Sequence, residues 1–515
     1  MMTFLLVTIL TLLTCQTSNV LAEEPQKPNI LLFLVDDMGW QDTSVPFHSE
    51  VTPLNKKFHT PHMEQLAKEG MKFTQAYVSS ICSPTRVSLV TGLNVARHRV
   101  SNWTLRKNAS NDRRHSQLAF PGWNVNGLSP VAGIERTIHA TPLPKVLQEA
   151  GYWTIHVGKA HFGAIGTPGA DPLNLGFNVN IAGHAAGGPG SYLGTQNFSA
   201  AFRKGDRIWD IPGLEKYHGK DIFLTEALTL EANAAVSKAV AMKKPFFLYL
   251  AHYAVHVPFA ADKRFHQKYV DAGLPPKEAM YAALVEGMDD SLGEVRKHLK
   301  KLGVADNTVI LFLSDNGGLS IAGRDGKRNT HNAPLSSGKG SAHEGGVRVP
   351  MLASWKGVIK PGTTCDKYVL VEDFFPTILE IAGVKNFKQV GTNNATPMNV
   401  DGISFLSLLE GKSDTWDATR PLFWHCPNNW GPRGPGIGPT SSVRQGDWKL
   451  IYYYETKKFE LFNIAEDIGE TQNLATAQPE RVKTLAAILR KHLRDVKATL
   501  PVDKKTNKPV PLPGE

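Results

Sequence analysis

The chain has 515 residues, with 57 Lys and Arg against 47 Asp and Glu, a formal net charge of +10, 42% hydrophobic residues and four cysteines. This composition is that of a folded globular protein, and it excludes collagen-like, low-complexity and intrinsically disordered classes. Cysteines this sparse exclude a disulfide scaffold, so the fold must depend on its hydrophobic core. The length allows one large α/β domain followed by a smaller domain.

The N-terminus predicts export. The first 22 residues carry no charged side chain, and a short apolar run, residues 4–13, is followed by polar residues. We expect residues 1–22 to be a cleaved signal peptide, since the run is shorter than the roughly 20 residues of a membrane span. A lipid anchor on Cys15 is the alternative. The protein is then periplasmic or secreted, or lysosomal in a eukaryote, and no later segment predicts a membrane span.

Short apolar runs in the first two-thirds of the chain predict buried strands, and each is followed by polar residues. The runs are residues 29–35, 153–157, 246–250 and 308–313. Helical patterns lie between them, at residues 60–70, 143–150 and 276–302. Buried strands that alternate with helices predict an α/β domain, a large mainly parallel or mixed sheet flanked by helices on both faces. Ligands of such sheets bind beyond the carboxyl ends of the strands.

The pattern changes near residue 400. Segments 447–454 and 458–462 predict paired strands, and an amphipathic helix follows them. We therefore expect a main domain over residues 23–399 and a small α+β domain with an antiparallel sheet over residues 400–515. Its Gly- and Pro-rich segment 424–440 predicts a long loop that reaches the main site and contributes to the substrate pocket. We expect the Lys- and Pro-rich last dozen residues to fray.

Polar residues that follow two of the predicted strands form a candidate metal site. Asp36 and Asp37 follow the first strand, and Asp315 and Asn316 follow the strand at 308–313. Carboxylate and amide oxygens suit Ca²⁺ or Mg²⁺, and the set lacks the Cys and His that zinc prefers. The alternative for each pair alone is a structural turn or helix cap, which Asp and Asn commonly form.

Cys82 lies in the most informative segment, residues 81–86. Ser83 as N-cap and Pro84 in the first turn predict a helix that begins just after Cys82, where backbone N–H groups favour an anion. Arg86 is one turn further on the same side. The pattern predicts a nucleophile beside a fixed cation, and its alternative is a buried structural cysteine with a surface arginine.

Further cations and proton-transfer groups follow other predicted strands and loops. They are Lys159, His161, His256 and Lys339. A tetrahedral oxyanion held by cations and a divalent metal, with a histidine near the leaving oxygen, needs this set of groups. Each taken singly is better explained as a solvated surface residue, and only their convergence on one sheet edge favours a site.

Taken together, these motifs resemble the type I sulfatase family of the alkaline phosphatase superfamily, over nearly the whole mature chain. Cys82-Ser83-Pro84-Thr85-Arg86, followed by residues 87–92, resembles the family signature in which the cysteine becomes formylglycine. The resemblance implies an alkaline phosphatase-like fold. Supporting matches are residues 35–39, 158–161, 314–318, 338–340, 344–350 and 446–450.

The resemblance implies a calcium-dependent sulfuric ester hydrolase of the arylsulfatase type. A formylglycine-generating enzyme or an equivalent maturase would modify Cys82, and the hydrated product would attack sulfur to form a sulfo-enzyme. Arg86 would stabilise the attacking hydroxylate. Ca²⁺, in preference to Mg²⁺, would be bound by Asp36, Asp37, Asp315 and Asn316.

The remaining roles also follow from the resemblance. Lys159 and Lys339 would hold sulfate oxygens, while His256 would protonate the departing alcohol. His161 would be the base that helps to expel sulfate and regenerate the aldehyde. Ala160 stands where the family often has an aromatic residue, and this difference bears on substrate fit more than on reaction class.

The net charge indicates the substrate class, and two histidines are candidates for contacting the substrate. A net charge of +10 on an exported enzyme favours a sulfated carbohydrate or glycosaminoglycan-type polysaccharide, and His184 and His425 are candidate substrate ligands. The sequence has no basic patch interleaved with aromatic residues, so it does not predict a nucleic-acid partner. The alternatives are a phosphoric ester hydrolase of the same superfamily, against which Cys82 argues, and a non-catalytic sulfated-glycan-binding protein in which Cys82 stays unmodified.

Overall fold

The computed structural model describes residues 27–321, 323–385 and 400–515. The predicted signal peptide, residues 1–22, and Cys15 lie outside the described residues, as does the predicted end of the main domain at residue 399. That domain boundary stays a prediction. Within the described residues, no helix is long and apolar enough to cross a membrane.

Strands of the described chain form four sheets, of which a nine-stranded sheet is the largest. The strands are β1 (Asn29–Val35), β2 (Met71–Tyr77), β3 (Leu118–Ala119), β4 (Leu128–Ser129), β5 (Ile138–His139), β6 (Trp153–Gly158), β7 (Val179–Ile181), β8 (Phe246–Ala251), β9 (Thr308–Ser314), β10 (Arg348–Ser354), β11 (Thr363–Cys365), β12 (Val369–Leu370), β13 (Leu422–Cys426), β14 (Thr440–Gln445), β15 (Trp448–Tyr453), β16 (Lys458–Asn463), β17 (Val502–Asp503) and β18 (Lys508–Pro509).

The large sheet runs in the order β11-β2-β10-β9-β1-β8-β6-β7, with β12 also paired to β2. β10 is antiparallel to both of its neighbours, and the other pairs are parallel. The expected mainly parallel, mixed sheet is therefore confirmed. Val35 at the end of β1 lies opposite Ser314 at the end of β9, and Gly158 at the end of β6 lies opposite Ala251 at the end of β8. The residues that follow these four strands consequently emerge at one edge of the sheet.

Helices cover both faces of this sheet. Successive side chains of β1 point to opposite faces, so Leu31 and Phe33 join one core cluster while Ile30 and Leu32 join another. The helices are α1 (Pro53–Lys57), α2 (Pro61–Glu69), α3 (Cys82–Thr91), α4 (Val95–His98), α5 (Leu143–Glu149), α6 (Leu224–Ala241), α7 (His266–Asp271), α8 (Pro276–Lys301), α9 (Glu344–Val347), α10 (Phe374–Ile381), α11 (Leu406–Leu409) and α12 (Pro479–Asp495). The first cluster contains residues of α2, α6, α7 and α8, and the second contains residues of α3, α5, α10 and α11.

The C-terminal part contains the predicted antiparallel sheet. β13 to β16 pair in sequence order, and α12 packs Leu485 and Leu489 against Val443 and Leu450. The prediction of a frayed tail is wrong, because β17 pairs with both β18 and β3 and Val510 is buried. Pairing with a strand almost 400 residues away leaves no local pattern in the sequence.

A buried ion-pair cluster joins the small sheet to the main domain. Lys449 Nζ, on β15, lies 3.0 Å from Glu344 Oε1 and 3.0 Å from Glu470 Oε1, and all three side chains are fully buried. Tyr77, on β2, donates its hydroxyl to Glu344 Oε2 at 2.6 Å. Burial opposes ionisation of Glu344, but Lys449 and Arg348 outweigh it and lower the pKa to about 2. The lysine thus neutralises carboxylates from two parts of the chain.

Lys449→Met is expected to destabilise the protein by about 3–5 kcal/mol, because removal of one partner leaves buried carboxylates uncompensated. Urea unfolding of the full chain measures the loss. Lys483→Met is the matched control, since Lys483 lies 3.9 Å from Glu480 and both side chains are largely exposed. Equal unfolding free energies for the two variants would show that the buried cluster does not hold the sheet in place.

Candidate active site

The residues predicted to carry chemistry follow the carboxyl ends of adjacent strands. Asp36 and Asp37 follow β1, and Asp315 and Asn316 follow β9. Lys159 follows β6 and His256 lies beyond β8. Because these strands are parallel neighbours in the sheet, segments more than 250 residues apart in sequence meet at one edge.

Three buried carboxylates meet three buried cations at this edge. Each carboxyl group has its own partner, so the cluster contains as many carboxyl groups as cationic side chains. The pairs are Asp36 Oδ2 with Lys159 Nζ at 2.7 Å, Asp37 Oδ1 with Lys339 Nζ at 2.5 Å, and Asp315 Oδ2 with Arg86 Nε at 2.9 Å.

The donor set fits a divalent metal ion. Asp36 Oδ1 and Asn316 Oδ1 are buried and have no hydrogen-bond partner among the described residues. Oxygens of Asp36 and Asp37 and a ring nitrogen of His256 lie within 4.8 Å of one another. Burial and the neighbouring carboxylate of Asp315 raise the pKa of Asp36 well above its ordinary value. A bound cation would stabilise these closely spaced carboxylates and would give the unpaired oxygens a partner.

Asp37 sits in a constrained backbone position within this cluster. Its φ of 64° lies in the left-handed region, which costs free energy for a residue other than glycine and is common at functional sites. Its N–H donates to Asp315 Oδ1 at 3.2 Å, and Asn316 Nδ2 donates to its Oδ1 at 2.8 Å. Burial opposes ionisation, but Lys339 and His256 outweigh it and hold the pKa of Asp37 below its usual range. The ends of β1 and β9 are therefore tied together through charged groups.

Cys82 is the first residue of α3, so the helix begins two positions earlier than the predicted N-cap at Ser83 implies. Ile81 is the N-cap residue, and Ser83 Oγ, predicted to cap the helix, instead accepts from Thr104 N at 3.2 Å. Burial raises the pKa of the Cys82 thiol, so the unmodified side chain is a protonated, weak nucleophile. Arg86, one turn later, also donates to the Lys159 carbonyl at 2.7 Å.

His161 and His256 each place one ring nitrogen against a backbone carbonyl oxygen. His161 Nε2 contacts the Thr104 carbonyl oxygen at 2.8 Å. A Cβ on Gly187 would lie 2.3 Å from His161 Cε1. His256 Nδ1 contacts the Val257 carbonyl oxygen at 2.7 Å, and its Nε2 lies 3.8 Å from Asp37 Oδ2. Burial and Lys339 lower the pKa of His256 to about 3.

A cavity of about 870 Å³ opens onto this cluster. Arg86 and Lys159 are fully buried behind it. The cavity is lined by Asp37, Ile81, Cys82, Trp103, Asn111, Arg113, His161, Gly187, Trp209, His256, Val257, Leu319, Ile321, Gly323, Lys339, Trp430, Gly431 and Pro432.

The two histidines predicted to contact substrate do not line this cavity. His425 is buried in the C-terminal sheet, where its ring nitrogens lie 2.7 Å from Ser441 Oγ and 2.9 Å from the Thr499 carbonyl oxygen. His184 packs against the ring of Tyr253. Both ring nitrogens of His425 are thus used by the protein, and a substrate role for His184 stays a prediction.

Sequence reasoning missed the aromatic wall of the cavity. Trp103, Trp209 and Trp430 line it together with Arg113. Trp430, Gly431 and Pro432 of the loop between β13 and β14 line the cavity. The Gly- and Pro-rich composition of this segment indicates a loop. Nothing in the sequence shows which side chain of the loop lines the cavity.

Comparison with known proteins identifies the family. The family model described as Sulfatase matches residues 28–384, which is more than half of the chain. The chain belongs to the sulfatase family. It is therefore a sulfuric ester hydrolase. A second model, described as N-sulphoglucosamine sulphohydrolase, C-terminal, matches residues 338–499.

Individual sulfatases are similar over most of their length. A sulfatase of Formosa agariphila is 30% identical over 511 residues, covering 88% of this chain and 86% of the relative. Human N-acetylgalactosamine-6-sulfatase is 30% identical over 500 residues, covering 90% of this chain and 84% of the relative. The crystal structure of Ps i-CgsB in complex with k-i-k-neocarrahexaose superposes with a TM-score of 0.70 at 28% identity, covering 91% and 93%.

Gly187→Ala is expected to lower kcat for 4-nitrophenyl sulfate by about 100-fold, because the added Cβ must displace the His161 ring and a misplacement of about 1 Å costs that much. Gly122→Ala is the control, since a Cβ there meets no atom within 4 Å. Steady-state kinetics of protein matured in the same host make the comparison. Unchanged kcat in a folded Gly187→Ala enzyme would mean that the position of His161 does not matter to turnover.

Proposed function

We propose that this sulfatase is an exported, Ca²⁺-dependent enzyme that hydrolyses sulfate esters of a sulfated carbohydrate or glycosaminoglycan-type polysaccharide, with formylglycine made from Cys82. The observation that carries the proposal is the convergence of Cys82, His161, His256 and Lys339 on one cavity beside the carboxylate cluster. The carbohydrate substrate is supported by relatives, one named as an N-acetylgalactosamine-6-sulfatase and one solved with a neocarrahexaose.

Residue 82 is the proposed site of maturation. An aldehyde formed there by a formylglycine-generating enzyme or an equivalent maturase supplies, once hydrated, the hydroxyl nucleophile for sulfur. Arg86 lies one turn along α3, where burial disfavours its charge but Asp315 outweighs burial and raises the guanidinium pKa above its ordinary value. A permanent positive charge so close to residue 82 favours the ionised form of a nucleophile there.

The metal ligands proposed are the oxygens at the ends of β1 and β9. Asp36, Asp37, Asp315 and Asn316 offer an oxygen-only set that suits Ca²⁺, whereas Mg²⁺ demands stricter geometry and keeps more of its waters. When bound, the ion supplies positive charge that stabilises a sulfate oxygen. Three carboxylates are matched by three cations in the protein alone, so a divalent ion leaves the site with the net positive charge that an anionic ester needs.

Two lysines and two histidines of the site are proposed to hold sulfate and to move protons. Lys159 and Lys339 pair with Asp36 and Asp37, and their amines would be free to hold sulfate oxygens if those carboxylates bound a metal ion. His256 protonates the departing alcohol. Its pKa is low in the free protein, and a bound sulfate ester adds the negative charge that raises it. His161 accepts the proton that is released when sulfate is expelled.

Mass spectrometry of the tryptic peptide Phe73–Arg86 tests the maturation step. Protein from a host with formylglycine-generating machinery is expected to carry an aldehyde at residue 82, and Cys82→Ala is expected to abolish hydrolysis of 4-nitrophenyl sulfate. A wholly unmodified thiol, with the same machinery shown to act on a known sulfatase, would refute the mechanism and favour a non-catalytic sulfated-glycan-binding protein.

Calcium is expected to stabilise the chelator-treated protein. At a free concentration about 100 times Kd the gain is about 2.7 kcal/mol, seen as a rise in Tm. Asn316→Ala is expected to lose most of this rise because it removes an orphaned buried oxygen. Asn307→Ala, just before the opposite end of β9, is the control. A Tm that does not respond to Ca²⁺ in the unaltered protein would contradict the proposed metal site.

A further inference from the structure

The cavity differs in character between its buried and its exposed parts. Cys82 and Lys339 are each 4% exposed, and they lie with the charged groups at the strand ends. The aromatic side chains are half-buried, and Arg113 is exposed. The cavity therefore passes from a charged interior, where the sulfate ester is held, to an aromatic wall nearer the solvent.

Three tryptophans from separate segments form this wall. Trp103 follows α4, Trp209 ends a 3₁₀ turn at Arg207–Trp209, and Trp430 lies between β13 and β14. The rings of Trp103 and Trp209 have centroids 6.4 Å apart and are tilted by 39°. Within the described residues, none of the three indole N–H groups donates a hydrogen bond, so each is available to a ligand. Flat apolar faces with free donors at their edges suit a ligand with C–H faces and hydroxyl groups.

Hydrogen bonds to one carboxylate fix two of the three segments that carry the tryptophans. The Asp112 carboxylate accepts from Asn102 Nδ2 at 2.8 Å, from Trp123 Nε1 at 3.1 Å and from Asn428 Nδ2 at 2.8 Å. One carboxylate thus joins the segment of Trp103 to the loop of Trp430. A wall held in this way loses little conformational entropy when a ligand binds.

Trp430 also lies directly against the backbone next to Lys339. A Cβ on Gly340 would lie 2.1 Å from Trp430 Cε3, and Gly340 has a φ of 84°. Only glycine allows the indole to lie this close to the segment that places Lys339 near Asp37. A sugar against Trp430 is therefore close to the lysine proposed to hold the sulfate.

Arg113 is a free cation on the same wall. Its backbone N–H donates to the Asn429 carbonyl at 2.9 Å, but its guanidinium makes no ion pair or hydrogen bond with any residue that the structure describes. Asp37 is the acidic residue of the lining, and it is paired with Lys339. An unpaired guanidinium that faces no carboxylate attracts an anion, and its planar fork suits the oxygens of a sulfate or a carboxylate.

We propose that Trp103, Trp209, Trp430 and Arg113 form a second sugar subsite, next to the unit whose sulfate ester is cleaved. The tryptophans hold the neighbouring sugar, and Arg113 binds an anionic substituent on it, either a sulfate or a carboxylate. The inference rests on the proposed function and narrows its substrate to an oligosaccharide or polysaccharide with anionic groups on adjacent units.

Calorimetric binding to Cys82→Ala protein, which cannot turn over, tests the subsite. The probes are a chondroitin sulfate tetrasaccharide, which carries sulfate and carboxylate, a carrageenan tetrasaccharide, which carries sulfate alone, and a sulfated monosaccharide. At least one tetrasaccharide is expected to bind more tightly than the monosaccharide. Adding Trp103→Ala or Trp430→Ala is expected to weaken tetrasaccharide binding by about tenfold or more, with a much smaller effect on the monosaccharide.

Conservative variants and the arginine complete the test. Trp430→Phe is expected to keep most of the affinity, which separates the loss of an aromatic face from misfolding. Arg113→Gln is expected to weaken tetrasaccharide binding and to reduce its salt dependence. A loss confined to the chondroitin probe assigns a carboxylate to Arg113, whereas a loss with the carrageenan probe assigns a sulfate.

The controls are a half-buried tryptophan and an arginine outside the cavity. Trp448→Ala removes an indole that packs on Arg481, and Arg114→Gln alters the next residue along the chain. Losses no larger than those of the controls, or tetrasaccharides that bind no better than the monosaccharide, would overturn the subsite. Absence of sulfate release by the matured enzyme would refute the proposed function instead, because these affinities are measured without turnover.

Discussion

Asp36, Asp37 and Asp315 are buried side by side, and the segments around them are arranged so that cations offset the cost of that burial. Each buried carboxylate costs several kcal/mol unless a partner offsets the loss of water. Arg86 comes from α3, Lys159 from the end of β6 and Lys339 from the loop beyond β9, and each pairs with one carboxylate. Three distant segments must therefore meet at one sheet edge before any of these charges is stable there.

The strands of the parallel sheet and the loops between them supply different residues of the site. Strand ends fixed by a two-sided core hold the charged groups, so the part of the cavity that is proposed to bind sulfate is rigid. Connecting segments supply Trp103, Trp209 and Trp430, and such segments vary most easily among related proteins. The strand ends can therefore determine the reaction, while the connecting segments determine which carbohydrate fits. The C-terminal part supplies Trp430 to the cavity from the loop between β13 and β14, and Lys449 ties its sheet to Glu344 of the main domain.

Sequence reasoning reached the strands and the charged groups because both leave local patterns. Apolar runs located β1, β6, β8 and β9, and a polar residue directly after a buried strand marked Asp36 and Asp315. It did not locate the antiparallel β10 or the pairing of β17 with β3, because strand order depends on contacts between distant segments. Nor did it locate Trp430 in the cavity wall, because the direction in which a loop side chain points is set by packing.

Sulfate release from sulfated polysaccharides, followed by ion chromatography, tests the central claim most directly. Protein shown by mass spectrometry to carry formylglycine at residue 82, and supplied with Ca²⁺, is expected to release inorganic sulfate from at least one of them. Lys339→Ala is expected to reduce that rate by about 100-fold or more, as removal of a group that stabilises developing charge does. Fully matured, calcium-loaded protein that binds these polysaccharides without releasing sulfate would contradict the account.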